Sequence, residues 1–597
     1  MQNLEPTMKR LASLLPSPRP NRGPWVAPSA LLTTALLSWV LPVAGQGNPD
    51  GGGTTQKLKF ECGMAVATCF SRGAVFDDGG SASCTVRTSV PQGFVVGIMD
   101  LRDPAGNGAV PLSNWLPPMT HNEFGAPQDQ WRASNLGEVF GICLDQQTPP
   151  NIYVAATSIY PGDSYPSTGG PGTVYRLDGS TYQISQLIQF KDVGSVALGN
   201  LCYDPVHNQI FVADLDHGWI RRVSMAGVEL SKYDHGVAGR GSVSLPVIPD
   251  VSQPSELTGP GRRVFAVQYH GNRVYYSVWD TVTSTSPGPG ANTVWSIGLQ
   301  SNGDFATGPG SARLELSNAQ LPWDPTQHPG LTPNPAFQAS VITDIAFSGD
   351  GKMITAERGL CFQDLRNLNT FAHFSPAREF KPSGTSWVET TAPNGMLVGN
   401  SNPGHNSEGG IDYDCDNHVY VTGDLYVVPP LYIYGVEILG NATNAFNTTY
   451  LVDLDGSTTF YDKSYLGDIE VYRCCDCLTF SQENLQCTGA GGQYTWSFCV
   501  TNTGTLTNGH LVLLDLPPGV TASSPIINLD PPLAPGQGTC TSVTFTMDPK
   551  LATNNLCFRI AAHTPDFNEC CVVSKCLAVP DCCVLIPRER VLCDAAT

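Results

Sequence analysis

A strand, turn, strand unit of similar wording occurs five times in this chain. Measured between equivalent apolar residues, from Ile152 to Val419, its copies are spaced by 58, 64, 79 and 66 residues. A repeat this long, made of short strands and turn residues, exceeds one coil of a solenoid and favours four-stranded β-propeller blades with loop insertions. The five copies read NIYVAAT from Asn151, NQIFVADLDHGWIRRV from Asn208, NRVYYSVWD from Asn272, GKMITAERG from Gly351 and NHVYVTGD from Asn417.

An apolar strand precedes each copy, and we expect each of these strands to be the innermost of its own blade. They read GICLD from Gly141, NLCYD from Asn200, FAVQYH from Phe265, DIAFS from Asp344 and GIDYD from Gly410. FVVGIMDL from Phe94 predicts a sixth blade, completed by TTYLVDLDG or DIEVYR from the end of the region, because a ring closed by both ends of the chain has no exposed edge. The prediction is an all-β six-bladed propeller over 58–473, with seven blades as the alternative.

Residues 1–45 differ from the rest in composition. Four basic residues precede the apolar run Ala30 to Val43, which is short for a bilayer span and typical of a secretory signal peptide. An uncleaved anchor is the alternative, and 46–57 is interpreted as a flexible leader. Removing four basic residues and one acidic residue would change the net charge from −20 to −23. An acidic surface repels phosphate backbones, which argues against nucleic acid as a partner.

The cysteines are concentrated near the end of the chain. Seven of the 20 lie between Cys62 and Cys415 and the other 13 between Cys474 and Cys593. Together with a signal peptide this density favours disulfides, and zinc ligation by the clustered cysteines is the alternative. Short alternating strands between Gly, Pro and Asn turns predict a disulfide-rich β-sandwich over 474–597.

Two segments carry resemblances to known families. Val212 to Asp214 and Ile220 to Val223 resemble the NHL repeat and, more broadly, the six-bladed propellers that include secreted lactonases. Val500, Asn502 and Gly504, followed by the LPPGV and PGQ turns, resemble the immunoglobulin-like modules of bacterial surface proteins. The resemblances imply a secreted or surface-displayed protein, and they leave its activity open.

The lactonase-like resemblance also implies a candidate metal site. In such propellers a ring of Asn, Asp and Glu side chains at the starts of the innermost strands holds calcium, which polarises a carbonyl and binds the attacking water. The candidate ligands in this chain are Glu138, Asn200, Asp344 and Glu408, although the two glutamates lie slightly upstream of the Asn and Asp positions.

Other residues suit chemistry less specifically. His217 and His270 would be the first histidines to test as general bases. Six tryptophans could form a carbohydrate platform or pack between blades, and the sequons at Asn441 and Asn447 would accept glycans in a eukaryotic secretory pathway.

We therefore expect a secreted or cell-surface binding protein that recognises an extracellular protein or a carbohydrate, in preference to an enzyme. The alternatives are a calcium-dependent lactonase or esterase and a purely structural envelope protein.

Overall fold

The computed structural model describes most of the chain after the leader. The predicted signal peptide, the predicted leader and the asparagines of both sequons, Asn441 and Asn447, lie outside the described residues. The described residues are 58–71, 75–76, 86–87, 89–120, 131–157, 169–193, 198–235, 262–280, 291–321, 338–348, 351–362, 368–371, 375–384, 386–391, 395–400, 405–415, 417–428, 431–440, 449–454, 465–473, 477–489, 492–503, 507–514, 516–517, 519–547, 555–567, 569–580, 583–586 and 590–593.

Six groups of mainly antiparallel strands form the blades of a propeller, numbered here in chain order of their innermost strands. The sheets of blades 4 and 5 are joined by a bridge between Arg358 and Glu408. Blade 1 contains Val139–Leu144, Ile152–Ala156, Thr173–Leu177 and Ile184–Gln189. Blade 2 contains Leu198–Asp204, Gln209–Asp214, Trp219–Ser224 and Glu229–Asp234. Blade 3 contains Arg262–His270, Arg273–Asp280, Ala291–Gly298 and Ala312–Leu316.

The other three blades carry the additions and the closure of the ring. Blade 4 contains Gln338–Phe347, Met353–Phe362, Ala377–Ser383 and Ser386–Glu389, with Leu368–Phe371 also paired to its second strand. Blade 5 contains Ser407–Tyr413, Val419–Val428, Leu431–Leu439 and Tyr450–Asp453, extended in parallel by Asn114–Trp115. Blade 6 contains Leu466–Val471, Ala65–Cys69, Val96–Met99 and Met119–Thr120.

The innermost strands form a closed ring, in which each packs against the innermost strand of the next blade and Leu466–Val471 packs against Val139–Leu144. The six-blade prediction is confirmed, and the five apolar strands lie innermost in five different blades. DIEVYR supplies the innermost strand of blade 6, FVVGIMDL its third strand, and TTYLVDLDG the outer strand of blade 5. Closure of the ring thus places one late strand, Leu466–Val471, in the same sheet as three early strands.

The repeated asparagines have a backbone role in the hairpins. Asn208, Asn272 and Asn417 adopt positive φ angles of 52°, 57° and 61° in the turn between the first and second strands. Gly351 occupies the corresponding place in blade 4 with φ of 81°. Asparagine and glycine tolerate this left-handed conformation best, which explains their presence in these four turns. In blade 1, Asn151 instead hydrogen-bonds to Asp145.

Hydroxyl groups join neighbouring blades. Thr68 Oγ1 donates to the carbonyl of Phe140 at 2.5 Å, and Thr422 Oγ1 donates to that of Gly467 at 2.8 Å. Ser277 Oγ makes the same kind of bond, at 2.7 Å, to the blade 4 innermost strand. These buried bonds fix the second strands of blades 3, 5 and 6 against the next blade.

The last part of the chain forms the predicted β-sandwich. One sheet contains Leu478–Gly489, Gln493–Asn502, Gly538–Met547 and Val520–Ala522, and the other contains Ile526–Leu533, Asn508–Leu514, Asn555–His563 and Glu569–Ala578. Trp496, Phe545 and Phe558 lie in the core between the sheets. The disulfide Cys477–Cys571 connects the two sheets across this core.

The remaining elements are short. Outside the two domains' main sheets there are the hairpins Val75–Phe76 with Val86–Arg87 and Cys583–Ile586 with Arg590–Cys593, the helix Ala133–Leu136 and the 3-10 turn Asn318–Gln320. Among the described residues, no helix has the length and hydropathy needed to cross a bilayer.

Candidate functional site

Three polar side chains from alternate blades meet on the propeller axis. Asn200 of blade 2 donates its Nδ2 to Asp344 Oδ1 of blade 4 at 2.8 Å, and Asp344 shares a side-chain hydrogen bond with Asp468 of blade 6. All three are almost fully buried. Since each contact skips one blade, the three side chains fill the centre of the ring and are here called the axial triad.

Blades 1, 3 and 5 carry small residues at the innermost-strand positions that correspond to the axial triad. Gly141 and Gly410 stand at the corresponding positions of blades 1 and 5, and a Cβ at Gly410 would lie 2.6 Å from the carbonyl oxygen of Gly467. Ala266 occupies the position in blade 3. Alternation of polar and small residues therefore provides the space in which the axial triad meets.

A β-bulge in the innermost strands explains the hydrogen bonds of the two aspartates. Register shifts precede Ile142 and Ile411, and such a bulge takes a residue out of the ladder. The N–H of Ile411 donates to Asp344 Oδ2 at 2.8 Å, and that of Ile142 donates to Asp468 Oδ2 at 3.0 Å. Each carboxyl group therefore joins its own blade to the next one.

The environment of the axial triad favours protonated carboxyl groups. Burial raises the pKa of Asp344 to about 7, against the lowering effect of its hydrogen bonds. Burial also raises the pKa of Asp468 well above its ordinary value, and the negative charge of Asp344 adds to the rise. One proton held between the two carboxyl groups satisfies both, because two adjacent buried carboxylates repel.

A second acidic pair lies further along the innermost strands of blades 5 and 6. Asp412 and Glu470 are joined by a side-chain hydrogen bond, and burial raises the pKa of both. Arg473 Nη2 lies 3.4 Å from Asp412 Oδ1 and so places a positive charge beside this pair.

Burial also raises the pKa of the neighbouring thiols of Cys143 and Cys202, which are free cysteines. The inner strands thus carry polar side chains bonded mainly to one another.

The structure brings together two of the four predicted metal ligands. Asn200 and Asp344 are hydrogen-bonded as described, whereas Glu138 accepts from the backbone and hydroxyl of Ser71. Glu408 accepts from Leu466 N at 2.8 Å. Both glutamates therefore lie at the end of the ring where the innermost strands begin, one step away from the axial triad.

Calcium binding requires several oxygen ligands directed at one point. Asn200 instead directs its amide N–H at Asp344, an orientation fixed because its Oδ1 accepts from Leu201 N at 2.7 Å. Among the described residues, no cluster of three or more His, Cys, Asp or Glu side chains is arranged to hold a metal ion. The side chains in this arrangement fit each other better than they fit a cation, and calcium binding stays a prediction.

Asp468 was missed by the sequence reasoning, although a signal for it exists. DIAFS and DIEVYR both begin with Asp-Ile, and in each the aspartate accepts the N–H of its own isoleucine. Recognising DIEVYR as a sixth innermost strand would have placed Asp468 in register with Asn200 and Asp344.

A cavity of about 520 Å³ opens between blades 5 and 6, at the end of the ring where the innermost strands terminate. Its size falls within the range of ligand pockets, roughly 300–1,000 Å³. The apolar and aromatic part of its wall consists of Leu101, Tyr420, Ile438, Tyr450, Val471 and Tyr472. Ring closure creates this cavity, because it joins early residues of blade 6 to late residues of blade 5.

The polar wall of the cavity contains a connected hydrogen-bond set. Asp414 Oδ2 lies 2.8 Å from His418 Nδ1 and accepts from Tyr420 Oη at 3.2 Å. Asp414 Oδ1 accepts from the backbone N–H of His418 at 2.8 Å, which completes the hairpin turn of blade 5. The His418 side chain is 39% exposed, so it is held in place and still accessible.

Two arginines also line the cavity. Arg102 makes two hydrogen bonds to Asp100 and one to Glu61, and these raise its pKa. Arg473 contacts Asp412 and donates to the carbonyl of Phe347 at 3.2 Å. Both guanidinium groups are therefore positioned by carboxylates of the protein.

The two histidines considered as general bases, His217 and His270, stack on aromatic residues. His217 Nδ1 lies 2.8 Å from Asp214 Oδ2, and its ring stacks on Trp219 at 4.2 Å. His270 stacks on Phe347 at 3.7 Å, and burial lowers its pKa to about 3. Both side chains serve the packing of the blades.

The tryptophans considered as a carbohydrate platform are mostly interior. Trp323 lies outside the described residues. Trp115, Trp131, Trp219 and Trp279 are buried, and Trp295 is partly buried against its own blade. The blade-packing alternative therefore accounts for the described members of this set.

No protein-family model and no curated protein matches this chain. Solved structures similar to it include a nidogen/laminin complex, at 10% identity over 69% of this chain and 100% of that one, with a TM-score of 0.33. A xyloglucanase from Xanthomonas campestris is similar at 14% identity over 79% of this chain and 59% of that one, with a TM-score of 0.32. Regucalcin, a calcium-binding protein from Agrobacterium tumefaciens, is similar at 10% identity over 61% and 81%, with a TM-score of 0.27.

Proposed function

We propose that this chain is an extracellular binding protein whose propeller recognises its ligand, a carbohydrate or a protein segment, in the cavity between blades 5 and 6. The observation that carries the proposal is the cavity itself. It combines apolar and aromatic surface with a few fixed polar groups, as ligand pockets do.

The position of the cavity supports recognition by a rigid scaffold. Its wall comes from two blades whose packing is fixed by the closure of the ring, and Tyr420 and Ile438 in it are nearly inaccessible to solvent. A site built on strands loses little conformational entropy when it binds, which favours affinity.

The cysteine chemistry supports an extracellular location. Cys62 and Cys415, which line the cavity, are both disulfide-bonded, and the sandwich contains the bridges Cys477–Cys571 and Cys499–Cys540. Disulfides persist in oxidising compartments. In this proposal the sandwich supports or attaches the propeller.

A cavity-blocking substitution tests the proposal. A Cβ at Gly440, which lines the cavity, would have no atom within 4 Å, so Gly440→Trp adds bulk there without a clash at its own Cβ. Leu431→Trp, at the exposed start of the strand that Gly440 follows, is the matched control. Ligand-observed NMR with a fragment library should detect compounds that bind the wild type and the control but not the blocked variant.

Other outcomes would contradict the proposal. Absence of fragment binding to the wild type, or equal binding by the blocked variant, would show that the cavity is not a ligand site. Calcium-dependent turnover of lactones or esters by the wild type, lost on Asp344→Ala, would replace binding by the hydrolase alternative.

A further inference from the structure

The two arginines and the histidine of the cavity wall each have a carboxylate partner, whereas Asp103 accepts from a backbone N–H. Arg102 bonds to Asp100 and Glu61, and His418 is joined to Asp414. Arg473 contacts Asp412. An ionic ligand would have to compete with these intramolecular pairs, whereas a neutral polar ligand can add hydrogen bonds to them.

The aromatic surface faces the same space. Tyr450 and Tyr472 are half-buried in the wall, and Tyr420 is buried in it with its hydroxyl bonded to Asp414. Tyrosine provides a flat apolar ring together with a polar end, which suits a ligand that has both C–H surface and hydroxyl groups.

The charge-paired groups also carry hydrogen-bonding capacity. His418 Nδ1 is directed at Asp414, so its second ring nitrogen, Nε2, is the one that can reach a ligand. The side chain of Arg473 is 33% exposed and has several N–H donors in a planar array. Donors and acceptors therefore border an aromatic and apolar floor.

We infer that the cavity binds a neutral saccharide unit, with Tyr450 and Tyr472 against the C–H face of the sugar ring and His418 and Arg473 bonded to its hydroxyl groups. This inference rests on the proposed function and gives its ligand a chemical class. The ligand is a sugar without carboxylate, phosphate or ammonium groups.

Isothermal titration calorimetry tests the inference with methyl glycosides of glucose, galactose, mannose and N-acetylglucosamine and with their disaccharides. Glucuronate and glucosamine serve as charged analogues of similar size. We expect a neutral saccharide to bind, and both charged analogues to bind at least about tenfold more weakly.

Substitutions in the wall locate the binding. His418→Ala and Tyr450→Ala should each weaken binding by about tenfold or more. His207→Ala is the matched control, because His207 Nδ1 lies 2.7 Å from Asp204 in the equivalent hairpin of blade 2, away from the cavity wall. The control should bind within about twofold of the wild type.

The contrary results are distinct. Preferential binding of glucuronate or glucosamine would overturn the neutral class, and equal losses in His207→Ala and His418→Ala would overturn the assignment to this wall. If no saccharide binds while fragments still bind in a Gly440→Trp-sensitive way, the saccharide inference fails and the proposed function stands. If neither kind of compound binds, both fail.

Discussion

Replacing Asp344 by asparagine should change how the stability of the propeller depends on pH. The pKa of Asp344 is about 7, compared with an ordinary value of 3.8, mainly because the group is buried. A raised folded-state pKa contributes stability that is complete at acid pH and is lost as the pH rises through the folded value. Between about pH 5 and pH 7 the folded state holds a proton that the unfolded chain has released, so stability falls by about 2 kcal/mol.

Asparagine removes this contribution, since it does not ionise. It also has one acceptor oxygen where Asp344 has two, so it cannot accept from both Ile345 N and Ile411 N, which bond to different carboxylate oxygens. An unpaired buried N–H costs about 1–3 kcal/mol at every pH. The variant should therefore be less stable than the wild type near pH 5 and equal or more stable near pH 8.

Denaturant unfolding followed by tryptophan fluorescence at the two pH values measures this crossover. Asp178→Asn is the control, because hydrogen bonding by the Thr181 N–H lowers the pKa of Asp178, and this carboxylate is ionised in both states above about pH 5. Its effect should be the same at both pH values. If the wild type and Asp344→Asn lose equal stability between them, the protonated axial carboxyl is refuted.

Three further experiments with substituted proteins test the packing of the propeller and the sandwich. Gly410→Ala should destabilise the propeller by about 1–3 kcal/mol, because its Cβ would lie 2.6 Å from backbone atoms. Gly440→Ala should be neutral, because a Cβ there meets no atom within 4 Å. Equal shifts of the two variants in thermal unfolding would contradict the tight contact at Gly410. Arg358→Met should lower the free energy of unfolding by about 2–3 kcal/mol, because the buried guanidinium donates to two backbone carbonyl groups of blades 5 and 6. An unchanged midpoint of denaturant unfolding would refute this stabilising role of Arg358. Replacing Cys477 and Cys571 by serine should lower the free energy of unfolding of the sandwich by about 2–5 kcal/mol, and proteolysis should become faster. Unaltered protease resistance would show that this bridge is dispensable.

The architecture could be predicted because its signals are local. Five of the blades contain the same apolar strand and turn, and in blades 2 to 5 the turn needs a residue such as Asn208 or Gly351 that tolerates positive φ. The alternation of apolar and polar residues in short strands, together with the clustered cysteines, likewise predicted the β-sandwich from local sequence. The resemblance to immunoglobulin-like modules and the secretory signal stay predictions.

The candidate site followed from sequence only in part. Asn200 and Asp344 could be placed at equivalent strand positions, but Glu138 and Glu408 are displaced along the chain by a few residues, and that displacement moves them to another level of the ring. Asp468 belongs to the same level, although it is far away in sequence. Which side chains converge depends on register and bulges, and these are set by pairing between strands.

The sequence by itself determined the repeated strands, the turns between them and the concentration of cysteines, because each depends on residues close together in the chain. Only the tertiary structure decided the axial triad and the cavity. Both contain residues from distant segments, such as Tyr450 with Leu101 in the cavity wall, and they meet because Leu466–Val471 pairs with Ala65–Cys69. Closure of the ring is a long-range event, so local pattern carries no direct record of what it brings together.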